Sequence, residues 1–193
     1  MSSSPVLYFD LASPYAYLAV ARAESVLGSA VELEPVLLGA IFAWRGHGSW
    51  AHTDHRSAGM ADVEQRARRY GLPAVVWPPD WPANSLAAGR AATWAKPQGR
   101  VAEFSSAVYR RQFAGGEDIA DVAVLEAAAA EAGLDAAELL EAIRRQDVKD
   151  ALRQATEEAW RRDVRGVPSL AIGQTIFYGD DRLEEAAAFV ASS

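Results

Sequence analysis

Ser13-Pro14-Tyr15 stands where an apolar run, Val6 to Leu11, stops and a helical pattern starts. Serine is a favoured N-cap, and proline is pre-set for the first helical position, where its missing N–H costs nothing. A helix start with free N–H groups at the end of a strand suits a negative charge. Two further stretches bear on such a site. Gly166-Val167-Pro168 precedes a strand pattern, and a proline in so tight a connection is either a cis candidate or a trans strand-initiating residue. Gly179-Asp180-Asp181-Arg182 reads as another helix start with acidic residues in its first turn, and Asn84 as another cap. Each has an ordinary structural reading, and Ser13 alone is a helix cap.

His47, His52 and His55 lie near one another beside Asp54, but their spacing matches no standard zinc signature. A polar loop lining a cleft is expected there, and no metal. Tyr15, Trp44, Trp50, Trp77 and Trp81 are available for an aromatic pocket, and equally for the core.

The elements that must position these groups follow from the apolar pattern. At 193 residues, half of them apolar, the chain suits one core carrying a large insertion. Nineteen basic against twenty-six acidic residues, net charge -7, argue against a nucleic-acid partner. With no cysteine, redox chemistry by the protein's own thiols and thiolate metal sites are excluded, so any thiol chemistry uses a borrowed thiol. The start, Met1 to Pro5, lacks the features of a secretory signal, and the longest uncharged apolar stretch, Val36 to Trp44, is too short for a bilayer. A cytoplasmic protein with no membrane contact is expected.

Val6 to Leu11 reads as a strand, the segment up to Gly28 as one amphipathic helix, and Val31 to Leu38 as a parallel edge strand containing Pro35. From Gly39-Ala40-Ile41-Phe42, read as a turn, to about Arg162 nearly everything is helical, interrupted by the proline- and tryptophan-rich loop Trp77 to Pro82. Asp147 is expected to cap the last of these helices. Ser169 to Ile172 and Thr175 to Tyr178, joined by Gly173-Gln174, form a two-residue II′ hairpin, and a helix follows. The order predicts an α/β fold: a thioredoxin-like mixed sheet, residues 1–38 and 147–193, split by an all-helical insertion, residues 39–146.

Phe9 to Ala19, Gly39 to Phe42, Pro82 to Leu86, Gly166-Val167-Pro168 and Gly179 to Arg182, in that order, resemble the 2-hydroxychromene-2-carboxylate isomerase family. That family is related to kappa-class glutathione transferases within the DsbA-like thioredoxin superfamily. The resemblance spans essentially the whole chain. In thiol oxidoreductases of the superfamily a Cys-x-x-Cys sits where this chain has Ser13 to Ala16.

The resemblance implies a site for glutathione. Ser13 would donate its hydroxyl to the sulfur as the catalytic residue, and Val167 and Pro168 would meet the cysteinyl part. Gly179, Asp180, Asp181 and Arg182 would hold the γ-glutamyl end. Tyr15, Trp44, His47 and Asn84 would bind a small aromatic substrate, opened to trans-o-hydroxybenzylidenepyruvate in aromatic catabolism. A homodimer is also implied. Where relatives often carry a lysine and an asparagine, this chain reads Ala43-Trp44-Arg45-Gly46-His47-Gly48, so its second substrate can differ. A kappa-like transferase and a non-catalytic binding module are the alternatives.

The physics fits a borrowed thiol. A thiol of pKa about 8.5 is about 3% ionised at pH 7. Lowering it by about 1.5 units takes roughly 2 kcal/mol, which a hydroxyl hydrogen bond to a charged acceptor plus a helix dipole can supply.

Overall fold

In the computed structural model, which describes residues 4–192, the first strand β1 spans Val6–Phe9. Met1, Ser2 and Ser3, part of the stretch read for a secretory signal, lie outside the described residues. Leu7, Tyr8 and Phe9 are all buried because successive side chains enter two covered faces. Phe9 meets Tyr109 with ring centroids 6.4 Å apart, whereas the Tyr8 hydroxyl accepts from Arg162 at 2.9 Å on the opposite side.

β1 pairs in parallel with β2 (Glu32–Pro35) and antiparallel with β3 (Ser169–Ile172), which pairs with β4 (Thr175–Tyr178). The strand order β2-β1-β3-β4 is the mixed sheet expected from the sequence. Pro35 does sit on the edge strand, and the acidic edge is partly offset by Lys96, 2.9 Å from Glu32 and also bonded to Glu34. In the hairpin Gly173 takes φ +59 and Gln174 does not take a positive φ, as a II′ turn requires.

Three local expectations are corrected. The single helix up to Gly28 is two, α1 (Pro14–Val20) and α2 (Ala23–Leu27). Arg22 marks the break, its guanidinium 3.5 Å from the Tyr70 ring centroid and bonded to Glu184, and α2 then packs on the last helix, α10 (Leu183–Ala191). Gly39 to Phe42 is no turn but part of α3 (Leu38–Arg45). Its start is prepared by distant side chains: Leu37 N–H donates to Thr156 at 3.0 Å and Leu38 N–H to Asp10 at 2.8 Å. The strand before it stops at Pro35, short of the expected Leu38, where its partner β1 also ends at Phe9.

The helical block then runs through α4 (Arg56–Arg69), α5 (Leu86–Ala95), α6 (Val101–Phe113), α7 (Val122–Glu131) and α8 (Ala136–Ala142) to α9 (Gln146–Arg161). Asp147 does not cap α9, which starts one residue earlier; it sits in the first turn and binds Arg145. Along α9 the buried stripe Val148, Leu152, Thr156 and Ala159 faces inward. Among the described residues no helix is long and apolar enough to cross a membrane.

Thr156 ties α9 to the start of α3, accepting from Leu37 and donating to the Leu152 carbonyl at 2.7 Å. Thr156→Val keeps the shape but leaves the Leu37 N–H without its acceptor. A loss of about 1–2 kcal/mol is expected, read from urea midpoints at constant m-value.

Candidate active site

The β1–α1 turn is built on Asp10. Its Oδ1 accepts from Ala12 N–H at 2.9 Å, its Oδ2 from Leu38 N–H at 2.8 Å, and Ser85 also bonds to the carboxylate. Burial pushes the Asp10 carboxyl above its ordinary value, opposed by these donors. Leu38 opens α3, Ser85 precedes α5, and Ser13 three residues on caps α1, so three helix N-termini meet around this carboxylate. Each brings the positive end of its dipole to the wall around Ser13.

Ser13 is 4% exposed, and its Oγ accepts from Ala16 N–H at 3.2 Å as the cap of α1. A hydroxyl has one O–H and two lone pairs, so capping uses a lone pair and leaves the O–H to donate. Ser13 lines a cleft of about 620 Å³ together with Tyr15, His47, Asn84 and Val167. The Val167–Pro168 bond is cis. Asn84 keeps its capping role as well, with Oδ1 accepting from Leu86 N–H at 3.0 Å.

Of the predicted site residues, Trp44, Pro168, Gly179, Asp180, Asp181 and Arg182 do not line the cleft. Trp44 is 44% exposed and packs on Trp160, ring centroids 5.5 Å apart. α3 offers the cleft Leu38, Gly39, Phe42 and Arg45, one helical face, and Trp44 falls two residues from Phe42 on the other side. Tyr15, Trp50 and Trp81 form the aromatic wall, with Trp77 behind Trp81 at 4.7 Å. Trp81 also donates its Nε1–H to the Ala12 carbonyl at 3.2 Å, which braces the turn carrying Ser13. Among the histidines, His47 and His52 line the cleft, whereas His55 precedes α4 outside it.

The helix start at Gly179 lies beside the cis-proline, since Gly179 N–H donates to the Pro168 carbonyl at 3.0 Å. Asp180 there is 1% exposed, bonded to Arg66 at 3.0 Å and to the Tyr70 hydroxyl at 2.9 Å. Burial raises its pKa, while Arg66 and Tyr70 hold it down. Arg66 also meets Asp62 at 2.9 Å and Asp181 at 3.2 Å. Asp62 in turn accepts the Tyr15 hydroxyl proton at 2.9 Å, and burial with that bond pushes the phenol up, keeping it a donor. A continuous polar chain thus runs from Tyr15 in the cleft to Asp180 and Asp181, while Arg182 is turned to Glu185. Tyr70→Phe removes one donor from the buried Asp180 carboxylate; the expected cost is about 1.5–3 kcal/mol, measured by chemical denaturation.

Sequence reasoning missed Asp10 and Arg45, whereas Trp50 and His52 do line the cleft as the aromatic and polar-loop readings allowed. An Asx turn from Asp10 to Ala12 was readable locally. Arg45 was hidden by reading α3 as a turn.

A family model described as the DSBA-like thioredoxin domain matches residues 6–191. The chain belongs to that family. Within it, 2-hydroxychromene-2-carboxylate isomerase of Sphingobium xenophagum is 29% identical over 192 residues, 95% of this chain and 96% of that protein. Glutathione S-transferase kappa 1 of Homo sapiens is 28% identical, over 92% of this chain and 86% of its own. A solved structure of selenomethionyl 2-hydroxychromene-2-carboxylate isomerase shares the fold, with TM-score 0.88 at 19% identity, covering 98% of this chain and 95% of that one. The resemblance to the isomerase family read from the sequence motifs is thereby shown.

Proposed function

We propose that this DSBA-like protein is a glutathione-dependent isomerase of 2-hydroxychromene-2-carboxylate-type compounds. The observation that carries the reading is Ser13: in a chain without cysteine, its hydroxyl keeps a donor free where three helix N-termini converge on a cleft. The fit to glutathione is chemical. A thiolate needs a donor and a positive field, and the Ser13 wall supplies both, while Asp10, the only carboxylate in that wall among the described residues, is already occupied by its own donors.

Ser13 would hold the sulfur, Val167 and Pro168 the cysteinyl main chain, and the Gly179 to Arg182 start the γ-glutamyl end. There Asp180 would serve by fixing the turn, since its oxygens are committed to Arg66 and Tyr70, and Asp181, half exposed and paired with Arg66, would meet the ligand's ammonium. When bound, glutathione supplies a thiolate nucleophile that is also a good leaving group, the chemistry needed to loosen a carbon–carbon double bond for rotation. Arg45, with one nitrogen at 2.6 Å from the Arg165 carbonyl, and His47 offer cationic or hydrogen-bonding groups to the substrate carboxylate. Asn84 offers an amide, and Tyr15, Trp50 and Trp81 an aromatic wall.

Incubation with 2-hydroxychromene-2-carboxylate, with and without glutathione, tests this by absorbance. A spectral change that needs both protein and glutathione is expected, and its absence overturns the reading. The second reading, a kappa-like transferase, is favoured by the similarity to the human enzyme. Conjugation of 1-chloro-2,4-dinitrobenzene without any isomerisation would select it.

A further inference from the structure

Gly59 lies inside α4, where glycine is less favourable than alanine. It does not line the cleft, and its backbone carries no positive φ that would call for glycine. What it touches is Trp50. A Cβ at residue 59 would lie 2.4 Å from Cζ3, 2.5 Å from Cε3 and 2.9 Å from Cη2 of that indole. All three atoms belong to the six-membered ring, so the benzo edge of Trp50 occupies the space a side chain at residue 59 would take.

The indole has little freedom elsewhere. Its ring centroid is 6.1 Å from Tyr15, edge-on, and 5.3 Å from Trp81. Trp81 is itself held by the Ala12 carbonyl and covered by Arg56 at 5.2 Å. Tyr15 is fixed by Asp62. The open side of Trp50 is the cleft it lines. A methyl group at residue 59 therefore drives the indole into the cleft, on the side of the aromatic wall formed with Tyr15 and Trp81.

We infer that Gly59 is a positioning residue for substrate specificity: by yielding its side-chain volume to Trp50, it sets the width of the slot that receives the planar aromatic substrate. The inference rests on the glutathione-dependent reading of the cleft. It predicts a split response, because the wall that moves faces the aromatic substrate and not the sulfur.

The test compares wild type, Gly59→Ala, Trp50→Phe and the double variant. Gly59→Ala is expected to raise KM for 2-hydroxychromene-2-carboxylate by about tenfold, with kcat and the calorimetric Kd for glutathione within about twofold of wild type. Phenylalanine lacks the benzo edge, so in the Trp50→Phe background the same Gly59→Ala change is expected to leave KM unmoved. An equal KM penalty in both backgrounds, or a parallel loss of glutathione affinity, would overturn the inference.

Should the wild type show no glutathione-dependent turnover, the functional reading fails, and 19F spectra of 5-fluorotryptophan-labelled protein still decide the structural part. The Trp50 resonance, identified by its loss in Trp50→Phe, is expected to shift in Gly59→Ala. A resonance that stays in place overturns the inference. If Gly59→Ala alone does not fold, recovery of folding in the double variant supports the same contact, and failure of both overturns it.

Discussion

Ser13→Ala is expected to lower kcat/KM about 10- to 100-fold, because a hydrogen bond to a charged acceptor is worth about 1.5–3 kcal/mol. The same energy stabilises the thiolate relative to the thiol, so its loss raises the pKa of bound glutathione by about one to two units. The acidic limb of the pH–rate profile therefore moves to higher pH in the variant, and activity is partly recovered in alkaline buffer. Thiolate absorbance near 240 nm, titrated in the presence of wild type and variant, measures the shift directly. The variant also loses the α1 cap, about 1 kcal/mol of stability, which leaves the protein folded and separates the two effects. An unchanged thiol pKa would place the sulfur elsewhere.

The largest stability effect is expected at Asp10. Asp10→Ala leaves the Ala12 and Leu38 N–H groups and the Ser85 hydroxyl without their acceptor. At the lower end of about 1–3 kcal/mol for each unsatisfied group, since the three donors are half-buried, a loss of about 3 kcal/mol follows, visible as a lower urea midpoint. Activity falls too, since the turn carrying Ser13 and the start of α3 carrying Arg45 both hang on this carboxylate.

Asp10 also gives a pH signature with a defined sign. Burial raises its folded-state pKa above the unfolded value, so the native protein holds a proton where the unfolded chain has released one. That contribution is complete below the ordinary carboxylate range and is lost as pH rises through the raised native value. Asp10→Asn does not titrate. The stability of wild type minus that of Asp10→Asn is therefore expected to fall as pH rises across this window and then to level off. A difference that grows with pH would mean that the backbone donors outweigh the burial.

How far the sequence reaches is seen by comparing neighbours. Ser13 was legible because capping, the proline after it and the end of the strand are all local chemistry. The hairpin at Gly173-Gln174 was legible for the same reason, its turn type being set by two adjacent residues. Trp44 was misplaced, although Arg45 next to it lines the cleft, because which face of α3 looks inward depends on where the helix begins. That start is set by Asp10 and Thr156, the latter 119 positions away from the Leu37 it binds.

The sequence by itself thus determined the order of the strands and, apart from the α1–α2 break and α3, of the helices, together with the absence of an internal thiol and the helix N-terminus at Ser13, since these depend on residue types and short-range spacing. Only the tertiary structure decided that three helix N-termini share one buried carboxylate, that Asp180 is sealed by Arg66 and Tyr70, and that Gly59 makes room for Trp50. Those contacts join residues far apart in the chain, and no local preference encodes which distant side chain will fill a given space or satisfy a given N–H.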